Sequence, residues 1–270
     1  MEINRIITLT TDFGMRDSFV GVMKGVILSI NPRARIIDIS HEIPQGDIAT
    51  ASFVLHGAFR YFPKETIHTI VVDPGVGSER RPVAVEAGHY FFVAPDNGVL
   101  SFMLEKAKKI TMIHLTNVKY FLNHISNTFH GRDVFAPVAA HLSTGIAIEK
   151  MGESISDYHK YAFKGPKKTR ISIEGEITYV DHFGNLISNI AEKTIKDMLA
   201  MGKLCIRIGE HSIYELSKSY SDTDQGHLVA LINSFGLLEI AIREENAAQQ
   251  LHLNKGAKVI VEMELFKSIS

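Results

Sequence analysis

The sequence is nearly devoid of cysteine and lacks tryptophan and long apolar runs. Cys205 is the only cysteine among 270 residues, which excludes an internal disulfide and fits a reducing compartment. No apolar run approaches the roughly 18 residues that a membrane span needs, and the first residues lack the continuous apolar core of a signal peptide. We therefore expect a cytoplasmic protein without a membrane anchor.

An excess of either charge is also missing. The chain has 29 Lys and Arg against 30 Asp and Glu, a net charge of -1 with its 13 histidines neutral. Nucleic-acid-binding proteins usually show a basic excess or stripe, so no nucleic-acid partner is expected. The sequence contains no His-Glu-x-x-His, no second cysteine and no calcium-type aspartate ladder, so we expect no metal site. A Gly-x-Ser-x-Gly nucleophile motif is absent as well.

The first half of the chain alternates between two hydrophobic periods. Strands are predicted at 5–10, 35–40, 66–72, 82–86 and 90–94, and helices at 17–30, 47–59 and 131–143. Asn31-Pro32 should end the first helix, and Asp47 is a plausible N-cap of the second. Strand and helix in alternation predict an α/β N-terminal domain with a mostly parallel central sheet covered by helices.

The character of the chain changes after about residue 145. Short β-like runs recur at 170–180, 203–208, 227–232, 237–242 and 257–262, and only 192–200 has helical spacing. This pattern predicts a smaller β-rich domain, a barrel or sandwich. The basic, Gly-Pro-containing segment between the two halves is interpreted as a connection. The predicted organisation is an N-terminal domain at 1–157, a linker at 158–169 and a C-terminal domain at 170–270.

Two glycines follow an apolar run in VVDPGVGSERRP, residues 71–82. A dinucleotide-binding fingerprint would add a third glycine and continue into a helix, whereas a strand pattern follows here. A glycine-rich turn between strands would account for Gly75 and Gly77. It does not account for Asp73, Arg80 and Arg81, which cluster around them.

Two acids stand near the end of the first predicted strand, in and after TTDFG. Ligands of open α/β sheets bind outside the carboxyl ends of the strands, and a carboxylate such as Asp12 can accept hydrogen bonds from both hydroxyls of a ribose. The alternative is that Asp12 and Asp17 only stabilise the N-terminus of the following helix. Position alone does not decide between the two.

Three further segments contain candidate polar groups. His130, in TFHGRD, could serve as a general base or as a structural histidine. Asn185, in YVDHFGNL, could match a purine edge with its amide or only complete a β-turn. Glu239 interrupts the apolar strand in NSFGLLEIA, so its carboxylate lies on an exposed face or points at a ligand. Cys205 lies in an apolar run and is interpreted as packing.

Taken together, these five ordered segments resemble the S-adenosyl-L-methionine hydrolases, also called SAM hydroxide adenosyltransferases. The resemblance covers nearly the whole chain and includes the related fluorinating and chlorinating enzymes. It implies an α/β N-terminal domain and a β-rich C-terminal domain. It also implies a homotrimer, with the ligand between the N-terminal domain of one subunit and the C-terminal domain of the next.

The resemblance also implies roles for individual residues, by position in the matching segments. Asp73, Arg80 and His130 match the set tied to water activation, with Arg80 fitting the spacing better than Arg81. The implied substrate contacts are Asp12 at the ribose hydroxyls, Asp17 near the methionine moiety, Asp181 at the amino-acid part, and Asn185, Ser234 and Glu239 on the adenine and methionine sides.

The sequence departs from the halogenating relatives at two positions. Gly131 stands where the fluorinating enzymes carry a halide-binding serine, and Asp73 stands at their tyrosine position. A carboxylate beside the nucleophile would repel a halide ion but not neutral water. The resemblance therefore implies a hydrolase rather than a halogenase.

The implied reaction is attack of water or hydroxide on the ribose C5′ of S-adenosyl-L-methionine, giving adenosine and L-methionine. The sulfonium leaves as a neutral thioether, so neither a general acid nor a metal is required. No cofactor is expected, because S-adenosyl-L-methionine is the substrate, and adenosine can co-purify. The alternative is a non-catalytic adenosine or S-adenosylmethionine binding protein. A nicotinamide dehydrogenase is disfavoured by the incomplete glycine fingerprint.

Overall fold

The computed structural model describes residues 5–105 and 107–263. The chain divides into two compact units, Met1–Ala162 and Phe163–Ser270. Within the described ranges, no helix is long and apolar enough to cross a membrane. The linker at 158–169 stays a prediction.

The first unit is built around a seven-stranded sheet. Its elements are β1 (Ile6–Thr11), α1 (Phe19–Ile30), β2 (Arg35–Ser40), α2 (Ile48–Ala58), β3 (Ile67–Val71), β4 (Pro82–Ala87), β5 (Tyr90–Pro95), α3 (Ser101–Glu105), β6 (Ile110–Leu115), α4 (Ala136–Ser143) and β7 (Gly152–Ile155). The strand order is β2-β1-β3-β5-β4-β6-β7. The predicted α/β class is confirmed.

The direction of each strand follows from the length of its connection. Helices α1 and α2 carry the chain from β1 to β2 and from β2 to β3, and these strands run parallel, as does β5 beside β3. Only Gly88 and His89 separate β4 from β5, and a link of two residues can form only an antiparallel hairpin. The remaining neighbours are antiparallel: β4 pairs with β5 and with β6, and β6 pairs with β7. Parallel pairing therefore describes the β2-β1-β3-β5 half.

Helices cover both faces of this sheet. Met23 and Ile27 of α1 pack with α4 residues against one face, and Ala51 and Leu55 of α2 pack against the other. The side chain of Asp47 accepts a hydrogen bond from the Thr50 amide at 3.0 Å, which confirms the predicted N-cap of α2. The helices cover the faces of the sheet but not the carboxyl ends of its parallel strands. The loops at these ends contain the candidate site.

The helix predicted at 131–143 has two parts. Its first turn, Gly131–Phe135, is a π-helix, and α4 continues from Ala136. A π-turn admits one extra residue per turn, and such turns are frequent at functional sites. Here it directly follows His130.

The second unit is β-rich, as predicted. Its elements are β8 (Lys167–Lys168), β9 (Ser172–Val180), β10 (Leu186–Ala191), α5 (Glu192–Leu199), β11 (Leu204–Ile208), β12 (His211–Ile213), β13 (Leu216–Ser217), β14 (Leu228–Ile232), β15 (Leu237–Ile242), α6 (Ala247–Gln250) and β16 (Lys258–Met263). The strands form one barrel-like sheet in the order β12-β11-β16-β9-β10-β15-β14-β13, with β8 beside β9. Its core lies on one face and includes Leu238, Ile240 and Val261.

His68 is a fully buried histidine of β3 in the first unit. Its Nδ1 lies 2.8 Å from Thr8 Oγ1, its Nε2 has no hydrogen-bond partner in the described ranges, and Phe59 and Phe92 contact its ring. Burial lowers the pKa of His68 to about 3. The imidazole is therefore neutral in the folded protein.

This histidine should destabilise the fold in mild acid. Because its folded pKa lies below the unfolded value of 6.5, its contribution is present above pH 6.5 and is lost as the pH falls from 6.5 towards 3. Between pH 7 and pH 5 we expect a loss of about 2 kcal/mol in the free energy of unfolding. Urea titrations should show that His68→Phe removes this part of the pH dependence. Thr8→Val should keep it, and an unchanged slope in His68→Phe would contradict the assignment.

Candidate active site

Asp73, Arg80 and His130 are in direct contact. Asp73 follows β3, Arg80 precedes β4, and His130 precedes the π-turn. Arg80 donates from Nε to Asp73 Oδ1 at 2.9 Å and from Nη2 to Asp73 Oδ2. The same Nη2 donates to His130 Nδ1 at 2.8 Å. The structure thus brings together the three side chains that the family resemblance implied as one set.

The arginine fixes the protonation state of the histidine. A guanidinium has only donors, so His130 Nδ1 must accept, and the neutral ring carries its proton on Nε2. Burial and the neighbouring Arg80 charge lower the pKa of His130, against the opposing charges of Asp73 and Asp133. In this arrangement His130 offers a hydrogen-bond donor at Nε2 and no free acceptor.

Arg81 points to different partners. Its Nη2 donates to Asp96 Oδ2 at 2.6 Å, and its Nη1 donates to Asp157 Oδ1 at 3.1 Å. The two adjacent arginines therefore serve separate clusters. Of the two, Arg80 belongs with Asp73 and His130, as its spacing suggested.

The glycines of the 71–82 segment allow a close approach between two loops. Gly77 has φ +77°, and a Cβ there would lie 2.6 Å from the Asn127 carbonyl oxygen; at Gly75 a Cβ would lie 3.1 Å from Arg80 Cγ. Side chains at these positions would push the loop away from Asn127 or displace Arg80. The paired glycines are explained by this packing rather than by a phosphate cradle.

A cavity of about 310 Å³ opens beside this cluster. Its lining residues are Asp12, Phe13, Phe19, Gln45, Val71, Asp73, Val76, Thr128, Phe129, His130 and Gly131. They come from the ends of β1, β2 and β3 and the loops after them, from the first residue of α1, and from the segment that leads into the π-turn. They therefore converge at the carboxyl ends of parallel strands, where ligands of open sheets bind.

Asp12 is the second carboxylate of the cavity. Its Oδ2 accepts a hydrogen bond from the Gly46 amide at 2.8 Å. Burial raises the pKa of Asp12, and the charge of Asp73 adds to the rise, while backbone hydrogen bonds from Gly46 and from Asp12 itself oppose it. Asp12 is held by the β2–α2 loop rather than by a helix N-terminus.

Three phenylalanines form the apolar part of the lining. The rings of Phe13, Phe19 and Phe129 contact one another, with centroids 5.3 to 5.7 Å apart. None was predicted as a site residue. Phe13 and Phe129 are the sequence neighbours of Asp12 and His130. This adjacency to predicted site residues is the feature of the sequence that could have identified them.

Two predicted substrate contacts lie on exposed surface. Asp17 is exposed in the loop before α1 and does not line the cavity. Ser234 is exposed in the turn between β14 and β15. Their roles stay predictions.

In the second unit, Asp181 and Asn185 belong to one turn. Asp181 Oδ1 accepts from the amides of Phe183 and Asn185, and its Oδ2 accepts from Asn185 Nδ2, each at 2.9 Å. A Cβ on Gly184, which has φ +87°, would overlap the Asn246 side chain. The β-turn is present, with Gly184 rather than Asn185 in the left-handed region, and the bond to Asp181 fixes the direction of the Asn185 amide.

Glu239 is buried in the second unit, with 2% of its surface exposed. Its Oε1 accepts from the Tyr220 hydroxyl at 2.5 Å, and its Oε2 accepts from Asn233 Nδ2 at 3.1 Å. Burial raises the pKa of Glu239. An exposed position is thereby excluded for this carboxylate. Tyr220 was not predicted, because it lies 19 residues away in the chain.

Among the described residues, no group of three or more His, Cys, Asp and Glu side chains is placed to hold a metal ion. The cavity residues instead combine two carboxylates, one neutral imidazole and an aromatic wall, and the Arg80 guanidinium bonds Asp73 and His130 from outside the lining. Such a set can orient a polar nucleophile against a nucleoside-sized ligand.

Comparison with known proteins gives matches over most of the chain. Residues 7–152 match the model for the SAM hydroxide adenosyltransferase N-terminal domain, and residues 175–260 match that for the C-terminal domain. The (R)-S-adenosyl-L-methionine hydrolase of Methanocaldococcus jannaschii is 38% identical, over 94% of each chain. That of Salinispora arenicola is 33% identical, over 94% of this chain and 97% of its own.

Two further similarities widen this picture. A fluorinase of an Actinoplanes species is 28% identical over 96% of this chain and 97% of its own. The crystal structure of an uncharacterized conserved protein from Thermotoga maritima superposes with a TM-score of 0.88 at 36% identity. That match covers 95% of this chain and 99% of the other.

Proposed function

The chain belongs to the SAM hydroxide adenosyltransferase family, and from this premise we propose that it hydrolyses S-adenosyl-L-methionine to adenosine and L-methionine. The observation that supports this most directly is the contact of Asp73, Arg80 and His130 beside a cavity that also contains Asp12. The names of the relatives at 31–38% identity extend the proposal to the (R) sulfonium epimer.

The proposed chemistry is a single displacement. A water oxygen bonds to C5′, the C5′–S bond breaks, and its electron pair neutralises the sulfonium as methionine leaves. The proton of the water passes to Asp73, whose carboxylate Arg80 holds in place. His130 donates from Nε2 to the attacking oxygen and stabilises its hydroxide character. Asp12 binds the ribose hydroxyls and aligns C5′ with the water.

This division of roles differs from a histidine general base. Because Nδ1 of His130 is occupied by Arg80, the ring can receive a proton only after Nε2 has lost its own. Asp73 needs no such rearrangement. We therefore assign proton acceptance to Asp73 and donation of a hydrogen bond to His130.

Paired amide substitutions should separate donation from base catalysis at His130. In His130→Gln the amide reaches the place of Nε2 and can still donate, so we expect kcat within about 10-fold of wild type. In His130→Asn the amide reaches only the place of Nδ1, and we expect a loss of about 100-fold, at the lower end of the effect of removing one hydrogen-bond donor to a developing anion. Steady-state kinetics measures both, with circular dichroism as a control for folding. Equal, large losses in the two variants would favour a base.

Water rather than halide is the proposed nucleophile. A Cβ on Gly131 would lie 3.3 Å from both Met23 Sδ and Val71 Cγ1 and 3.2 Å from Phe129 Cε2. A side chain at Gly131 would therefore meet apolar atoms closely, and these would have to shift by a few tenths of an ångström to admit one that could bind halide. Asp73 adds a negative charge on the same side.

Isotopically labelled water tests the function itself. Incubation with (R)-S-adenosyl-L-methionine in H₂¹⁸O should give methionine and adenosine labelled at the 5′-oxygen. The same reaction with added chloride or fluoride should give no halogenated nucleoside. Intact substrate recovered in complex with the protein would instead indicate a binding protein, and a halogenated product would indicate a halogenase.

The proposal extends to partners and location. We propose, on the basis of the family, that the protein acts on a small-molecule substrate without a cofactor. We also propose a homotrimer with sites between subunits and a cytoplasmic location. Size-exclusion chromatography with light scattering measures the oligomer directly. A monomer that hydrolyses the substrate at full rate would contradict sites shared between subunits.

A further inference from the structure

Asp133 is a fully buried carboxylate that lies outside the cavity lining. It stands in the π-turn, three residues after His130. Its Oδ1 accepts from Arg132 Nε at 2.6 Å, and its Oδ2 accepts from Arg132 Nη2 at 3.0 Å. Burial of a charge is costly unless it is paired and hydrogen-bonded, so a specific purpose for this acid is expected.

The hydrogen bonds of Asp133 converge on the segment that precedes it. Its Oδ2 accepts from the Ser126 amide at 2.8 Å. Its carbonyl oxygen accepts from the Leu122 amide at 2.9 Å, and its own amide donates to the Phe129 carbonyl at 3.1 Å. One residue therefore ties down residues 122–129 at three points.

That segment supplies one wall of the cavity. Ser126 Oγ lies 3.0 Å from Thr128 Oγ1 and accepts from the Thr128 amide at 3.2 Å. Thr128, Phe129 and His130 line the cavity, and Arg132, the ion-pair partner of Asp133, lies with its guanidinium carbon 5.3 Å from the Phe129 ring centroid. The contacts run without a gap from Asp133 to the wall.

We propose that Asp133 is a positioning residue for the reaction, which holds residues 122–130 so that His130 and Phe129 face the bound substrate in the productive arrangement. The kinetic part of this proposal rests on the proposed function. Asp133 is fully buried and does not line the cavity. It acts through the backbone of Ser126 and Phe129 and through the ion pair with Arg132.

The chain offers a matched control for this acid. The Asp96 side chain is 7% exposed, accepts two hydrogen bonds from Arg81, and accepts one from a backbone amide, that of His159 at 2.8 Å. It does not line the cavity. Asp96→Asn should therefore cost stability in the same way as Asp133→Asn without disturbing the cavity wall.

The two asparagine variants should differ in turnover but not in melting temperature. In Asp133→Asn we expect kcat to fall by about 10- to 100-fold with KM changed less than threefold, because small displacements of catalytic groups can cost about 10²-fold. Asp96→Asn should stay within twofold of wild type. Equal kcat values in variants of equal melting temperature would overturn the proposal.

A second readout does not depend on hydrolysis. Arg80 contacts the His130 ring, and the charges of Asp73 and Asp133 act to raise the pKa of His130 against burial and Arg80, so removal of the Asp133 charge should shift its titration to lower pH. NMR of the ring protons, assigned with His130→Gln, should show this shift in Asp133→Asn and none in Asp96→Asn. An unshifted His130 would count against the proposal even if the wild-type protein hydrolysed nothing.

If Asp133→Asn does not fold, Arg132→Gln tests the ion pair through which Asp133 acts. It removes the guanidinium that bonds both Asp133 oxygens and lies over the Phe129 ring, and it keeps the Ser126 amide bonded to Asp133. We expect a smaller fall in kcat, about three- to tenfold, at unchanged KM. Wild-type kinetics in Arg132→Gln would overturn the proposal.

Discussion

Asp73→Asn is expected to lower kcat for S-adenosyl-L-methionine by about 10²–10⁴-fold, the usual range for loss of a positioned proton acceptor. Asparagine keeps the shape of the side chain and one acceptor for Arg80, but it cannot take a proton from water. In the proposed mechanism the substrate is positioned by other groups, chiefly Asp12 and the phenylalanines. KM should therefore change by less than about fivefold.

The prediction is decided by comparing how much Asp73→Asn changes kcat with how much it changes the affinity for adenosine. Adenosine binding, measured by calorimetry, should be close to wild type in Asp73→Asn while product formation is nearly lost. If the variant instead bound adenosine poorly and turned over each bound substrate at the normal rate, Asp73 would be a binding group. We expect a melting curve near that of wild type, because Arg80 would still be paired through the amide oxygen. Such a curve would exclude loss of the fold as the cause of the lower kcat.

The candidate site was largely predictable because its residues sit at chain positions that the fold brings together. Asp12 and Asp73 each follow a strand, β1 and β3, and these strands are neighbours in parallel. Their carboxyl ends meet at one edge of the sheet, so two acids 61 residues apart in sequence share one cavity. Strand ends are local features that apolar runs reveal.

Partners that depend on non-local pairing were not predictable. Tyr220 lies in the short turn before β14, and Glu239 lies in β15. The two side chains meet only because β14 pairs with β15. Nothing in the spacing of the two residues indicates this contact. The buried position of Glu239 likewise depends on strands at both of its sides.

Strands were missed where pattern and structure diverge. In β10 the pairing with β9 shifts register between Ile187 and Ser188, and three consecutive residues are buried. A bulge of this kind breaks the alternation by which strands are recognised. The polar, four-residue β7 is an edge strand, and short, charged edges carry little hydrophobic signal. By contrast, β2 and β15 were predicted with the bounds that the structure gives.

Asp12→Ala should weaken adenosine binding by about 10²–10³-fold. A carboxylate that accepts from both ribose hydroxyls makes two charge-assisted hydrogen bonds, each worth about 1.5–3 kcal/mol, and water that enters this half-buried site in the variant restores a part of that free energy. Removal of the acid also leaves the Gly46 amide without its partner. Because burial raises the pKa of Asp12 above 3.8, wild-type binding should begin to weaken, as the pH falls, sooner than an ordinary aspartate would predict.

Nucleosides that lack ribose hydroxyls show whether Asp12 acts where proposed. Calorimetric affinities of adenosine and 2′,3′-dideoxyadenosine form a double-mutant cycle with wild type and Asp12→Ala. If the carboxylate binds the hydroxyls, wild type should discriminate strongly between the nucleosides and Asp12→Ala hardly at all. Asp12→Asn, which keeps an acceptor for Gly46, should fall between them. Discrimination that persists in full in Asp12→Ala would show that the hydroxyls are bound elsewhere, and Asp12 would then be a residue that only shapes the β1 loop.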